Sequence, residues 1–328
     1  MRVILIKKRG GRNKLYLGEV NTPEPKSGQV LIKVYATSVN QADLLQRRGL
    51  YPPPPGASPI LGLDVAGEVV EKGPDVSRWS PGNRVFAFVP GGGYGEYIVT
   101  SEHHLWEIPS NFEFESAAAV GEVFATAFLN LFIIGKLQQG ERVLIHGGNG
   151  GVGTACIQLA RKAGAKILTT VRTQKGRALC KELGAKHIIN YKEEDFETCV
   201  HQVTNGEGVD LIIDFVGATY LNKHLNILRQ KGRLILIGLK GGTKTDIFLP
   251  PVITNRLEIR GSLLRSQNDT EKAALFKSFE KEVLPLLASG EVYPVIDTVY
   301  PISQVEEAHQ RFRQNKHVGK IVLTWLGV

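Results

Sequence analysis

Hydrophobic positions along this chain follow two rhythms. Between residues 141 and 262, short runs rich in β-branched residues recur: ERVLIH (141–146), KILTTV (166–171), HIIN (187–190), VDLIID (209–214), RLILIG (233–238) and LEIRGS (257–262). Segments of helical periodicity lie between them. After the first run, Val152, Ala155, Cys156, Leu159, Ala160 and Ala163 fall on one face of an amphipathic helix. Six strands alternating with helices predict an α/β fold built on a parallel, doubly wound sheet.

Outside that block the rhythm changes. RVILI, QVLIKVYATSV, DVAGEVVEKG, NRVFAFV and GEYIV read as strands punctuated by Gly and Pro. They predict an antiparallel, partly barrel-like domain. The tail carries one long helical pattern, DTEKAALFKSFEKEVLPLLASG, a shorter one at VEEAHQRFR, and a last strand, KIVLTW. It is too small for a domain of its own and is assigned back to the first. The expected division is 1–120 with 267–328 for one domain and 121–266 for the other.

Composition narrows the class. The 328 residues are 42% hydrophobic and 22% charged, which excludes a disordered chain and leaves enough material for two cores. No apolar run reaches the ~18 residues of a membrane span. The hydrophobic stretch in MRVILIKKRG is short for a signal peptide. The expected setting is cytoplasmic, with no membrane partner. Cys156, Cys180 and Cys199 include no C-x-x-C pair, so buried thiols are expected rather than disulfides. The net charge is +8, but the basic residues are scattered, with KKRGGR (7–12) and RQNK (313–316) the densest stretches. A solvated basic surface is the main reading and nucleic-acid binding a minor one.

The strongest motif is LIHGGNGGVGTA, in which Gly148, Gly150 and Gly153 form G-x-G-x-x-G directly after a strand and at the start of a helix. The first glycine makes the tight turn, the second lets the backbone approach a pyrophosphate, and the third permits close helix–strand packing. Free N–H groups and the dipole at the helix N-terminus favour the phosphates, which brings Gly151 and Val152 into the set. His146, at the end of the strand, reads as a buried structural histidine. An acidic residue after the second strand would bind the ribose 2′-hydroxyl of NAD. Here the chain runs Val171-Arg172-Thr173-Gln174-Lys175, and Arg172 and Lys175 suit the 2′-phosphate of NADPH.

The chain resembles, over essentially its whole length, the zinc-free quinone oxidoreductase branch of the medium-chain dehydrogenase/reductase superfamily. Within that branch it is similar to the p53-inducible quinone oxidoreductases. The stretches that carry the resemblance are SVNQADLLQRRGLYPPPPGASPILGLDVAGEV (38–69), PGGGYGEY (90–97), HGGNGGVGTA (146–155), NYKEEDF (190–196) and GKIVL (319–323). The resemblance implies a GroES-like β-barrel catalytic domain interrupted by a Rossmann domain. It also implies a homodimer in which LEIRGSLL (257–264) is the pairing edge strand. Tyr191 matches a residue that helps Lys175 hold the 2′-phosphate. Thr126, Asp214 to Gly217, the loop from Gly238 to Gly241, Leu263 and Asn315 match positions lining the nicotinamide.

The metal-dependent members of the superfamily carry Cys near Asn40 and Gly-His-Glu where this chain has Gly62-Leu63-Asp64. The donors of a tetrahedral zinc site are missing, so no metal is expected. Hydride must then go to an acceptor that needs no Lewis acid. A quinone or an activated alkene qualifies, given hydrogen-bond donors where oxygen charge develops. The resemblance places Asn40, Asp43 and Tyr51 in the active-site segments: Asn40 and Tyr51 as donors, Tyr51 also as proton source, and Asp43 orienting groups or holding a water. Gly150 stands where many members have a serine. The leading expectation is an NADPH-dependent quinone reductase. An alkenal or enoyl reductase is the second, and a non-enzymatic NADPH-binding protein, crystallin-like or RNA-binding, the third.

Overall fold

The computed structural model describes residues 1–9 and 12–327; Gly10 and Gly11 of the basic stretch at 7–12 lie outside the described residues. The chain divides into two compact units, Met1–Ala125 with Arg265–Val328, and Thr126–Leu264. The breaks differ from the expected ones for a packing reason. At the first, Glu122 N–H donates to Asp64 Oδ1 at 2.6 Å, holding the start of helix Gly121–Phe128 to the first unit. At the second, Arg265 donates to Pro90 O and Gln46 Oε1 and so belongs with that unit.

The first unit contains a hairpin, β1 (Arg2–Arg9) and β2 (Arg12–Glu19), followed by β3 (Gln29–Val39), β4 (Asp64–Lys72), β5 (Arg84–Phe88), β6 (Tyr97–Ser101) and β7 (Leu105–Glu107). The second holds β8 (Arg142–Ile145), β9 (Lys166–Val171), β10 (His187–Asn190), β11 (Val209–Asp214), β12 (Leu228–Leu236) and β13 (Glu258–Gly261). β14 (Ile296–Pro301) and β15 (Lys320–Thr324) complete the first unit.

The sheet of the first unit runs β14-β15-β3-β4-β5-β7, with β6 also paired to β3. Its pairs are antiparallel except β14 with β15. Val30, Ile32 and Val34 alternate inward from β3 and meet Val65 and Val69 of β4, Val85 of β5 and Ile321 and Leu323 of β15. Leu31 and Ala36 to Val39 are buried as well, so β3 is covered on both faces over most of its length. The hairpin strand β2 and strand β14 were not marked by the hydrophobic pattern. The long helical pattern of the tail breaks into helices Asp269–Glu282 and Leu284–Ala288, because Pro285 lacks the N–H needed to continue the first.

The six strands of the second unit are parallel, in the order β10-β9-β8-β11-β12-β13. Chain direction across the sheet reverses between β8 and β11, and an open α/β sheet binds ligands at the carboxyl ends of strands flanking such a reversal. The continuous apolar runs of β8 and β11 follow from burial on both faces.

Candidate functional site

In the second unit the loop after β8 lies at that reversal. His146 N–H donates to Ile213 O of β11 at 3.1 Å, and Gly148 N–H to Thr170 O of β9 at 3.0 Å. A Cβ on Gly148 would stand 2.0 Å from Thr169 Oγ1, and one on Gly153 would stand 2.3 Å from Gly147 O, so both glycines are required by close packing. Gly150 differs, since its nearest neighbour to a Cβ is Gly147 O at 3.4 Å. Helix Gly151–Lys162 starts here. Thr154 N–H is bonded back to Gly150 O, which leaves the amides of Gly151, Val152 and Gly153 without intrahelical acceptors. The backbone therefore offers a cradle of donors with open approach at Gly147 and Gly150.

Arg172 follows β9 directly, Lys175 lies in the first turn of helix Gln174–Leu183, and Tyr191 follows β10. Asn190 and Val171 are register partners, so Arg172 and Tyr191 leave adjacent strands at the same level. Arg172 and Tyr191 are half-buried and Lys175 is exposed.

After β11 the chain turns sharply. Asp214 accepts Val216 N–H at 2.7 Å and Gly217 N–H at 2.8 Å, and Gly217 takes a φ of 81°. Asp214, expected among the cofactor-lining residues, has a wholly buried side chain that holds this turn closed. Burial pushes its carboxyl up to about 6, opposed by those two amides. Thr126 is buried, Gly238 lies against Phe215 O, and Leu263 is exposed. Asn315 belongs to the first unit, with a φ of 55° just past helix Val305–Arg313.

Behind the cradle runs a buried polar chain. Gly147 N–H donates to Thr170 Oγ1, Thr170 Oγ1 meets His146 Nδ1 at 3.0 Å, and His146 Nε2 meets His224 Nε2 at 2.8 Å. His224 Nδ1 lies 3.9 Å from Asp214 Oδ2. Burial holds both histidines neutral, with His224 driven down to about 3. Each offers one ligand atom, with Asp214, inside a 4.8 Å span. The imidazole–imidazole hydrogen bond engages one nitrogen of each ring, and the group links the loops after β8 and β11 as polar core.

In the first unit, Asn40 precedes helix Gln41–Arg47 and is 5% exposed. Asn40 Nδ2 donates to Asp64 Oδ2 at 2.8 Å, and Lys320 Nζ donates to Asn40 Oδ1 at 2.6 Å. Lys320 also lies 3.3 Å from Asp64 Oδ2, forming an ion pair buried on both sides. Ser38 Oγ donates to Asp64 Oδ2 as well. Asp43 is wholly buried. Its carboxylate accepts Asn40 N–H at 2.8 Å and Gly62 N–H at 2.9 Å, with Tyr94 OH at 3.4 Å and His309 beyond it. Burial raises its pKa to about 6, against the lowering effect of the two amides. The expectation that Asp43 orients groups takes a specific form: it fastens the helix start to the segment before β4. Tyr51 is half-buried under the guanidinium of Arg265, 5.2 Å from the ring centroid.

Residues 26–110 match the model of the alcohol dehydrogenase GroES-like domain, and residues 151–278 that of the zinc-binding dehydrogenases. The quinone oxidoreductase of Lama guanicoe is 34% identical over 326 residues, which cover 98% of this chain and 97% of that protein. This chain belongs to the quinone oxidoreductase family of the medium-chain dehydrogenases/reductases. The human quinone oxidoreductase is 32% identical with the same coverage. Among solved structures, the Escherichia coli quinone oxidoreductase complexed with NADPH has a TM-score of 0.87 at 26% identity, covering 98% of this chain and 99% of its own. The apo JamJ enoyl reductase has the same TM-score and identity, covering 99% of each chain.

In this member of the quinone oxidoreductase family, the side chains around Asn40 are a poor donor set for zinc. An amide, the leucine Leu63 and a carboxylate already paired to Lys320 do not fit a dication. The ammonium among them would repel one. The motif reading passed over Lys320, Tyr94, His309, His224 and Arg265. Lys320 was detectable as a cation at the head of an otherwise apolar strand; the others carry no local signal.

Proposed function

We propose that the chain is an NADPH-dependent quinone reductase that passes hydride directly to its acceptor without zinc or flavin. The observation that carries this reading is the amide cradle at Gly151, Val152 and Gly153 beside the reversal between β8 and β11, with Arg172, not a carboxylate, after β9. The cradle would take the pyrophosphate; Arg172, Lys175 and Tyr191 would take the 2′-phosphate. Thr126, Gly217, Gly238 and Leu263 would line the nicotinamide, which when bound supplies the hydride. The relatives named quinone oxidoreductase, and the Escherichia coli structure holding NADPH, support the same assignment.

The chain's own contribution is to receive charge on oxygen. Asn40 Oδ1 is taken by Lys320 and one Nδ2 hydrogen by Asp64, which fixes the amide and leaves its second hydrogen for an acceptor oxygen. Tyr51 supplies the phenol that can give a proton. A hydroquinone is aromatic, so the reduced product needs no metal to stabilise it.

Oxidation of NADPH and NADH by the purified protein, with 1,2-naphthoquinone as acceptor and a chelator present, tests the proposal. Chelator-resistant turnover favouring NADPH is expected. Tight NADPH binding without quinone turnover would overturn the substrate assignment and favour a second reading, reduction of an activated alkene. The likeness to the JamJ and CurK enoyl reductases, with TM-scores of 0.87 and 0.85, is what favours that alternative.

We also propose a homodimer formed through β13. That strand ends the sheet, all four of its residues are exposed, and Phe248, Ile253 and Leu263 beside it in sequence are 62%, 75% and 55% exposed. A second copy would cover such an edge.

A further inference from the structure

Arg265 is 3% exposed, yet its hydrogen bonds go only to neutral acceptors. Nε donates to Pro90 O at 2.8 Å and Nη2 to Gln46 Oε1 at 2.6 Å. Gln46 is itself pinned, its Nε2 donating to Pro59 O at 2.9 Å. Nη1 is buried with no hydrogen-bond partner. Among the described residues no carboxylate lies within ion-pair distance. The group over which this cation is held is the ring of Tyr51. A buried cation without a counter-ion is costly, and a ring face is only a partial substitute, worth ~0.5–2 kcal/mol. The phenolate of Tyr51 would be a full one.

We propose that Arg265 is a positioning residue for Tyr51, fixing the phenol and stabilising the phenolate left when Tyr51 gives its proton to the reduced acceptor. The inference rests on the quinone reductase reading above. In the step, the acceptor gains hydride from the reduced nicotinamide, which is oxidised. The Tyr51 O–H bond breaks as an acceptor O–H bond forms, and the phenolate recovers a proton from water.

Other charges bear on the pair. Burial raises the Tyr51 phenol and Glu122 raises it further, while Arg265 is the group that lowers it. Asp43 acts on Arg265 from helix Gln41–Arg47, and Lys272 faces Arg265 from helix Asp269–Glu282. Among the described residues, Arg265 is thus the cation that eases loss of the Tyr51 proton.

The test compares Arg265→Met, Arg265→Lys and Tyr51→Phe, alone and as the Met/Phe double variant. Arg265→Met should lower kcat on naphthoquinone about tenfold, leave KM for NADPH unchanged and move the alkaline limb of the kcat profile to higher pH. Arg265→Lys should fall between, and serves if the Met variant folds poorly. In the Tyr51→Phe background, Arg265→Met should cost nothing more. Losses that multiply in the double variant, or an alkaline limb that stays in place, would overturn the proposal. If the wild type reduces no quinone, the functional reading fails first. Phenolate absorbance during an alkaline titration then decides the inference separately: Arg265→Met should move one tyrosine to higher pH, an effect lost with Tyr51→Phe. Absence of that movement overturns it.

Discussion

His146 and His224 face each other Nε2 to Nε2 at 2.8 Å, both fully buried in the second unit. One imidazole must donate and the other accept across a single shared hydrogen, and burial disfavours the charged form of both. Burial drives His224 from its usual 6.5 to about 3. In the unfolded chain it protonates near 6.5, so below that pH the unfolded state binds the extra proton. Stability from this group is present above pH 6.5 and is lost as pH falls toward 3, by up to ~1.4 kcal/mol per pH unit. Asp43 and Asp214, raised to about 6, act oppositely below that pH because the folded state takes up their protons first. Comparing His224→Gln with the wild type removes their common contribution. Urea unfolding from pH 7 to 4 should show a shallower loss in the variant; equal slopes would rule out the buried neutral pair.

Lys320 and Asp64 predict a second outcome. Their ion pair is 4% and 1% exposed, so Lys320→Met leaves a carboxylate buried without its cation. The expected loss is ~3–5 kcal/mol in denaturant unfolding, with part recovered when Asp64→Asn is added. A loss below 1 kcal/mol would mean that water reaches this site.

The two glycines of the cradle should respond in opposite ways. Gly148→Ala places a Cβ against the buried Thr169 hydroxyl, which is itself tied to Ile145 O at 2.7 Å. Overpacking should cost ~1–3 kcal/mol and weaken NADPH binding. Gly150→Ser, at a φ of −82° with its nearest neighbour at 3.4 Å, should fold with unchanged Tm. Thermal melts and NADPH fluorescence titrations on the two variants separate these outcomes.

The proposed role of Arg172 and Lys175 in binding the 2′-phosphate makes a prediction about cofactor preference. Arg172→Ala and Lys175→Ala should each raise KM for NADPH about tenfold, from the loss of one charge-assisted contact, while KM for NADH stays level. Parallel increases for both cofactors would place these cations away from the 2′-phosphate.

Edge pairing through β13 predicts that Phe248→Asp with Ile253→Asp converts a dimer to a monomer with little change in Tm. Sedimentation of the wild type as a monomer would refute the proposed assembly.

The parallel sheet was legible because its central strands β8 and β11 are near-continuous apolar runs and short β-branched runs recur between helical segments, and the cradle because glycine spacing is a local backbone demand. Arg172 and Lys175 became candidates the same way, from their position after a strand. Asn40 and Asp43 were candidates through the resemblance, but their engagement was not legible: Lys320 lies 280 positions from Asn40, and no local pattern reports a bond across that separation. The resemblance set Asp214 among the cofactor-lining positions, but no local pattern reports that both its carboxylate oxygens accept amides of its own turn. Arg265 stayed hidden because a single arginine after a strand looks like any solvated one until Pro90, Gln46 and Tyr51 close around it.

Strand β3 shares one edge between two partners: residues 29–33 pair with β6, and residues 36–39 pair with β15. The first partner emerges from the ribosome soon after β3. The second follows only after the whole of Thr126–Leu264 has been made. During synthesis the intervening unit, contiguous in the chain, can fold while Ala36 to Val39 still present an unpaired backbone. Asp64 likewise waits for Lys320. The first unit is therefore begun first and finished last, and its exposed edge is the stretch that nascent-chain chaperones would have to shield.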